Sequence, residues 1–298
     1  MKELVVISGK GGTGKTSVVA SYAALARAPI LVDCDVDAPD LHLVLQPVVV
    51  HKERFIGGKL ARIKAGHCIA CGKCEELCRF AAISYDGPGN GRQPRTYRVD
   101  PLACEGCGVC AWFCAERAIA FEPVVRGEWY RSNTRFGPML HARLGASAEN
   151  SGKLVSLLRE QAREAAKESG RELILVDGSP GIGCPVIASV TGASLVLVVT
   201  EPTLSGEHDL QRVLDLARGF GLPTAVLVNR ADIDLELASR IEQRAAAQGA
   251  LLLPRVPYDR AVTEAQLQGK PVVELRDGPA AREIRRGWDE ISQRLAGM

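Results

Sequence analysis

The chain has 298 residues, with 37 Lys and Arg against 35 Asp and Glu (formal charge +2), 46% hydrophobic residues and 10 cysteines. This is the composition of a folded chain and excludes global disorder, while the balanced charge gives no reason to expect nucleic acid or an anionic membrane as the main partner. The length accommodates one large α/β unit plus something smaller.

In chain order, Met1-Lys2-Glu3 runs straight into an apolar Leu4-Val5-Val6-Ile7, with no export segment before it. No apolar run approaches the ~20 residues that span a bilayer. The expectation is a cytoplasmic protein whose thiols stay reduced, so that clustered cysteines bind metal rather than form disulfides. The Glu3–Ile7 strand breaks at Ser8–Thr16, and helix formers follow from Ser17 to Arg27. Ile30–Val32 is a second buried strand, ending in Asp33-Cys34-Asp35-Val36-Asp37. Residues 59–126 hold most of the cysteines and a turn-rich Gly87-Pro88-Gly89-Asn90-Gly91, without a strong helix or strand period. They read as a small inserted domain, and residues 127–150 as an irregular return connection. A helix from Ser151 through Lys167 and a strand at Leu173–Asp177 resume the pattern. Strands at Leu195–Val199, Thr224–Val228 and Leu251–Leu253 then alternate with helices at Gly206–Arg218 and Leu235–Ala247. Continuous apolar strands alternating with helices predict an α/β parallel sheet covered on both faces, built from residues 1–58 and 127–298.

Gly9-Lys10-Gly11-Gly12-Thr13-Gly14-Lys15-Thr16 satisfies the Gly-x4-Gly-Lys-[Ser/Thr] pattern between a strand and a helix, with Ser17 next. Glycines let backbone N–H groups turn onto phosphates, Lys15 meets the β/γ-phosphate charge, and the Thr16 hydroxyl reaches Mg²⁺.

Cys68-x2-Cys71-x2-Cys74-x3-Cys78 is repeated as Cys104-x2-Cys107-x2-Cys110-x3-Cys114, each cysteine 36 residues after its counterpart. The same offset relates Ala82-Ile83 to Ala118-Ile119. This is the bacterial two-cluster ferredoxin spacing, in which the fourth cysteine of each run serves the other cluster. The expected partition is Cys68, Cys71, Cys74 and Cys114 on one [4Fe-4S] cluster, and Cys104, Cys107, Cys110 and Cys78 on the other. The alternative is a pair of structural zinc sites. Arg79 and Ala115 stand where the ferredoxin pattern has proline, which bears on potential rather than on ligation. Cys34 and Cys184 lie outside the repeat and read as packed thiols.

Lys10, a second lysine inside the phosphate loop, and the acidic end of the second strand make the chain resemble the deviant Walker A ATPases of the MinD/Mrp superfamily and the nitrogenase iron protein. The combination with the cysteine block resembles the subgroup carrying an inserted ferredoxin domain of small α+β type. The likeness extends to Glu149-Asn150-Ser151-Gly152-Lys153, Gly183–Ser189, Thr200-Glu201-Pro202-Thr203 and Val256-Pro257-Tyr258-Asp259. It implies that Lys10 reaches the phosphates of a partner subunit in an ATP-dependent homodimer, or a heterodimer with a paralogue. It implies that Asp35 acts on the attacking water, that Asp177 holds Mg²⁺ and that Gly181 lies near the γ-phosphate. Asn229 would face the base, with Pro257, Tyr258 and Asp259 flanking it. Asn229-Arg230-Ala231-Asp232 also resembles a guanine-reading motif, so GTP stays open on the residues while the family likeness favours ATP.

Three functions follow as expectations. The first is an ATPase whose nucleotide state gates electron transfer through the clusters to a redox partner protein. The second is an iron–sulfur cluster carrier of the Mrp type, and the absence of any cysteine after Cys184 counts against it. The third is spatial positioning like MinD, with Ile284, Trp288, Ile291 and Leu295 as the apolar face of a terminal helix. That face more often packs on its own domain.

Overall fold

Strands apolar on both faces need cover on both faces, and that requirement organises the chain. The computed structural model describes residues 1–145 and 151–298, so Glu149 and Asn150 of the Glu149–Lys153 motif lie outside the described residues. The strands are β1 (Lys2–Ser8), β2 (Ile30–Asp33), β3 (Val48–Ile63), β4 (Ile83–Gly87), β5 (Thr96–Val99), β6 (Ile119–Asn133), β7 (Pro138–Leu144), β8 (Leu173–Pro180), β9 (Leu195–Thr200), β10 (Thr224–Val228) and β11 (Leu251–Leu252). Among the described residues the main sheet runs β11-β10-β9-β1-β8-β2-β7-β6-β3, and β4 pairs with β5 separately. From β11 to β7 the pairings are parallel. The core packs Leu4, Leu31, Met139 and Leu197 against helical Val19, Tyr22 and Ile284, all buried.

The chain divides into two compact units. The first comprises Met1–Glu53, Glu128–Leu144 and Ser151–Met298, and the second Arg54–Gly127 with Gly145. Two sequence expectations need correction. Of the stretch 127–150 read as an irregular connection, residues 127–144 are mostly strand, because β6 continues to Asn133 and β7 follows at Pro138–Leu144, and residues 146–150 lie outside the described residues. The segment before the cysteines is also strand, since β3 runs unbroken through Gly57-Gly58. Glycine at position 57 has a steric reason, for a side chain there would place its Cβ 2.6 Å from that of Arg126. The exposed lysine, glutamate and arginine of β3 hide its strand period and suit a sheet edge.

In the terminal helix Pro279–Ala296, Ile284, Ile291 and Leu295 are buried and Trp288 packs on the same core. The stripe is therefore used within the domain. Among the described residues no helix is long and apolar enough to cross a membrane.

One buried ion pair fastens the layers. Arg159 donates to Glu3 Oε1 at 2.6 Å and to the carbonyls of Ala188 and Thr191 at 2.6 and 2.8 Å, and Arg163 meets the other Glu3 oxygen at 2.8 Å. Helix Ser151–Ser169, helix Cys184–Val190 and β1 thus share one guanidinium. Arg159→Ala is expected to destabilise the protein by about 1–3 kcal/mol in urea unfolding, since it leaves Glu3 Oε1 without its donor while Arg163 still pairs the other oxygen. Replacing both partners, Glu3→Leu with Arg159→Met, should recover much of that loss.

Candidate functional site

The phosphate loop follows the C-terminal end of β1, which lies between β8 and β9. β2 is the next strand beyond β8, and the register sets Asp33 directly opposite Asp177 and Val6 opposite Asp177. Carboxyl ends of neighbouring parallel strands thereby converge on the start of helix Lys15–Leu25. Gly12 (φ 79°) and Gly14 (φ 91°) turn the loop through left-handed conformations. Gly14 caps the helix without any side-chain hydrogen bond, leaving its first N–H groups for an anion.

Lys15 is buried, and its Nζ donates to Asp177 Oδ1 at 2.7 Å and reaches Asp35 Oδ2 at 3.4 Å. Burial disfavours the ammonium, but Asp177 and Asp35 outweigh it and push the pKa from the ordinary 10.5 up to about 12. Burial pushes the Asp35 carboxyl upward while Lys15 pulls it down. Asp33, wholly buried and facing the Asp177 charge, is pushed well above the usual carboxylate range. Its oxygens accept the backbone N–H groups of Asp35 (3.1 Å) and Leu41 (3.3 Å), so it shapes the loop that presents Asp35. Asp177 Oδ2 is buried without a hydrogen-bond partner, as is the hydroxyl of Thr13. An unsatisfied buried carboxylate oxygen is a donor that fits a hard, oxygen-seeking cation such as Mg²⁺.

A cavity of about 490 Å³ opens here. Of the residues expected from sequence, Gly11, Gly12, Gly14, Lys15, Thr16, Ser17, Asp35, Asn229, Pro257, Tyr258 and Asp259 line it. Gly9, Lys10, Thr13, Asp177 and Gly181 are not in its wall. Gly181 is tied back instead, its N–H donating to the Ser8 carbonyl at 2.8 Å. Asn229 also acts on the loop, donating from its amide to the Thr13 carbonyl at 2.8 Å. Asp259 caps helix Arg260–Leu267 through the Ala261 N–H at 2.9 Å, and Asp232 holds the Tyr258 N–H at 2.6 Å. Asp37 and Arg230, each inside a motif read from sequence but given no role by it, also line the wall, as do Thr263 and Gln266, which no sequence motif singles out. Gln266 donates to Ser17 Oγ at 2.8 Å across 249 positions of sequence, a pairing that no local pattern signals.

Lys10 points to its own subunit. Its Nζ lies 2.7 Å from Glu201 Oε1 and donates to Ser205 and Thr203 hydroxyls at 3.0 and 3.2 Å. Glu201 is shared with Arg230 at 3.0 Å.

The cysteine repeat is a repeat of backbone too. Helices Lys73–Glu76 and Val109–Trp112 correspond, as do the positive φ angles of Ala70 with Gly106, Gly72 with Gly108, and Ala81 with Arg117. The thiols group into two cavities, one walled by Cys68, Cys71, Cys74 and Cys114 and the other by Cys78, Cys104, Cys107 and Cys110. Backbone N–H groups reach sulfur in matching places, Ala82 to Cys78 at 3.4 Å and Ala118 to Cys114 at 3.3 Å. Among the described residues no group of three or more His, Cys, Asp or Glu side chains closes on a point that would hold a single metal ion. Burial pushes the Cys74 thiol up to about 11 and Cys110 upward as well. Of the outlying pair, Cys34 is buried as expected, but Cys184 is exposed and not a packed thiol. Its helix turns Val186, Ser189 and Val190 inward, which leaves position 184 on the outer face.

A family model described as the CobQ/CobB/MinD/ParA nucleotide binding domain matches residues 4–272. The chain is 33% identical over 232 residues to the uncharacterized protein MJ0578 of Methanocaldococcus jannaschii, covering 76% of this chain and 78% of that one. It is similar in structure to the cell division ATPase MinD of Pyrococcus furiosus, at 18% identity and TM-score 0.58 with 98% of each chain covered. The septum site-determining protein MinD of Pyrococcus horikoshii, complexed with Mg-ADP, gives 18% identity and TM-score 0.58 over 99% of this chain and 97% of that one. At such identities the structural likeness concerns the fold.

Raising the Lys15 pKa from 10.5 to about 12 means that folding is favoured by the charged lysine. That contribution, about 2 kcal/mol, is complete below the unfolded pKa and lost as pH rises through the folded one. Lys15→Met should therefore lower the stability of the nucleotide-free protein by about that amount at pH 8. The deficit should shrink between pH 10.5 and about 12, read by urea unfolding at several pH values.

Proposed function

Since the chain belongs to the CobQ/CobB/MinD/ParA nucleotide-binding domain family, we propose that it is a dimerising P-loop ATPase carrying two [4Fe-4S] clusters, in which nucleotide state controls electron transfer. The observation that carries this reading is the presence, on one chain, of a phosphate-loop cavity and of two cavities each walled by four thiols. The Mg-ADP bound to the Pyrococcus horikoshii MinD supports a magnesium nucleotide as the ligand of the first. Four thiols to each cavity, with the fourth drawn from the other run, suit the interleaved ferredoxin pattern better than paired zinc knuckles.

In this reading the γ-phosphate of ATP takes Lys15 from Asp177, which frees a carboxylate for the cation. Thr16 and Asp177 would hold Mg²⁺, whose bound charge neutralises that of the phosphates. Asp35, 3.4 Å from Lys15, then orients the water that attacks in line. Lys10 leaves Glu201 for the phosphates of a second subunit, and Arg230 keeps Glu201 paired when it does. The clusters, when bound, store and pass single electrons. The loop carrying Asp35 leads through helix Leu41–Leu45 into β3, and β3 leads the chain toward Cys68. Rearrangement of that loop on hydrolysis therefore has a covalent route toward the cysteines.

Anaerobic preparation tests the whole reading. About eight irons and as much sulfide per chain are expected, with a mass that doubles in non-hydrolysable ATP. Cluster reduction or electron-transfer rates that are identical with ATP and ADP would remove the coupling. Asp35→Asn should lower hydrolysis by about a hundredfold or more while nucleotide binding persists, and Lys10→Ala should abolish the doubling in mass.

A further inference from the structure

Lys10 is held in its own subunit by a complete set of acceptors. An ammonium has three donors, and Lys10 Nζ meets Glu201 Oε1 at 2.7 Å, the Ser205 hydroxyl at 3.0 Å and the Thr203 hydroxyl at 3.2 Å. All three acceptors lie on the turn from β9 into helix Leu204–Gly219, and the backbone of that turn is fixed. The Thr203 hydroxyl caps the helix at the Gly206 N–H (3.0 Å), and the Thr203 N–H donates to the Glu201 carbonyl (2.8 Å). A Cβ at Gly206 would lie 2.4 Å from the same carbonyl oxygen. The backbone before Lys10 is fixed as well, since a Cβ at Gly9 would lie 2.4 Å from that of Asp209, whereas Gly11 and Gly12 face open space. Movement is thereby left to the Lys10 side chain and the loop beyond it.

Glu201 has a second cation. Its Oε2 accepts from Arg230 at 3.0 Å, and Arg230 stands in the wall of the phosphate-loop cavity beside Asn229. The Glu201 side chain is 12% exposed, against 30% for Lys10 and 38% for Arg230. The carboxylate is thus the desolvated member and needs a partner, while either cation can return to water. Lys10 can leave because Arg230 remains. Resting on the reading that Lys10 reaches the phosphates of a second subunit, we propose that Glu201, with Ser205 and Thr203, is an autoinhibitory latch on Lys10. Arg230 sets how readily the latch opens. Dimerisation must break two latches, one in each subunit, so the dimer constant carries the latch factor squared. A partly exposed, charge-assisted contact is worth about tenfold, which makes about a hundredfold for the two.

The experiment measures mass by light scattering against protein concentration, on the anaerobic holoprotein at saturating non-hydrolysable ATP. Glu201→Gln removes the charge that holds Lys10 and should lower the dimer dissociation constant by about a hundredfold. Ser205→Ala removes one acceptor without touching Arg230 or the helix cap, and should shift the constant the same way by a smaller factor. Arg230→Met leaves Glu201 to Lys10 alone and should raise it. Opposite directions are the signature of a latch, because a purely structural role would weaken the dimer in all three variants. A Glu201→Gln dimer no tighter than that of the unaltered chain, or a tighter Arg230→Met dimer, overturns the latch and leaves the ATPase reading standing. If Glu201→Gln does not fold, Ser205→Ala decides by the same criterion. A doubling in mass that persists in Lys10→Ala overturns the bridging role of Lys10 and the latch with it.

Discussion

A buried lysine held between two aspartates is the constraint on which the nucleotide site depends. Lys15 begins a helix, Asp177 sits within β8 and Asp35 follows β2, so the contacts at 2.7 and 3.4 Å exist only if the strands are adjacent and in register. The arrangement is costly on its own terms. Asp33, Asp35 and Asp177 bring three carboxylates to one cation, and burial raises the pKa values of Asp33 and Asp35. A site carrying such excess negative charge, with an unsatisfied oxygen on Asp177, is poised to accept a cation and to release its lysine to an anion.

The surrounding loops serve that core by holding backbone in place rather than by offering free side chains. Asn229 grips the Thr13 carbonyl, Asp33 the N–H groups of Asp35 and Leu41, Asp232 the N–H of Tyr258, and Asp259 the start of a helix. Residues that a motif reading assigns to contact with the base are thus already committed to internal hydrogen bonds. Such commitments preorganise a loop for a ligand without requiring it to fold around one. The cysteine unit follows a related principle. A duplicated backbone sets eight thiols around two cavities, while the side chains between the ligands are free to diverge.

Local chemistry explains which features are legible in the order of residues. The phosphate loop needs glycines at left-handed positions, the central strands need unbroken apolar runs, and the cysteine spacing survives as an arithmetic repeat. Features that depend on distant neighbours are not legible there. The need for glycine at position 57 comes from Arg126, which occupies the space of a side chain there. Gln266 meets Ser17 across most of the chain, and Cys184 is exposed because of which face its short helix buries.

The sequence by itself determined the α/β class, the phosphate loop and the interleaved grouping of the cysteines, because each is written in residue type and short-range spacing. Only the tertiary structure decided that Lys15 rests on Asp177, that Lys10 is held by Glu201 in its own subunit, and that β3 and β6 run as long strands into the cysteine unit. Those outcomes turn on strand order and on steric room between segments far apart in the chain. Neither has any local signature in the order of residues.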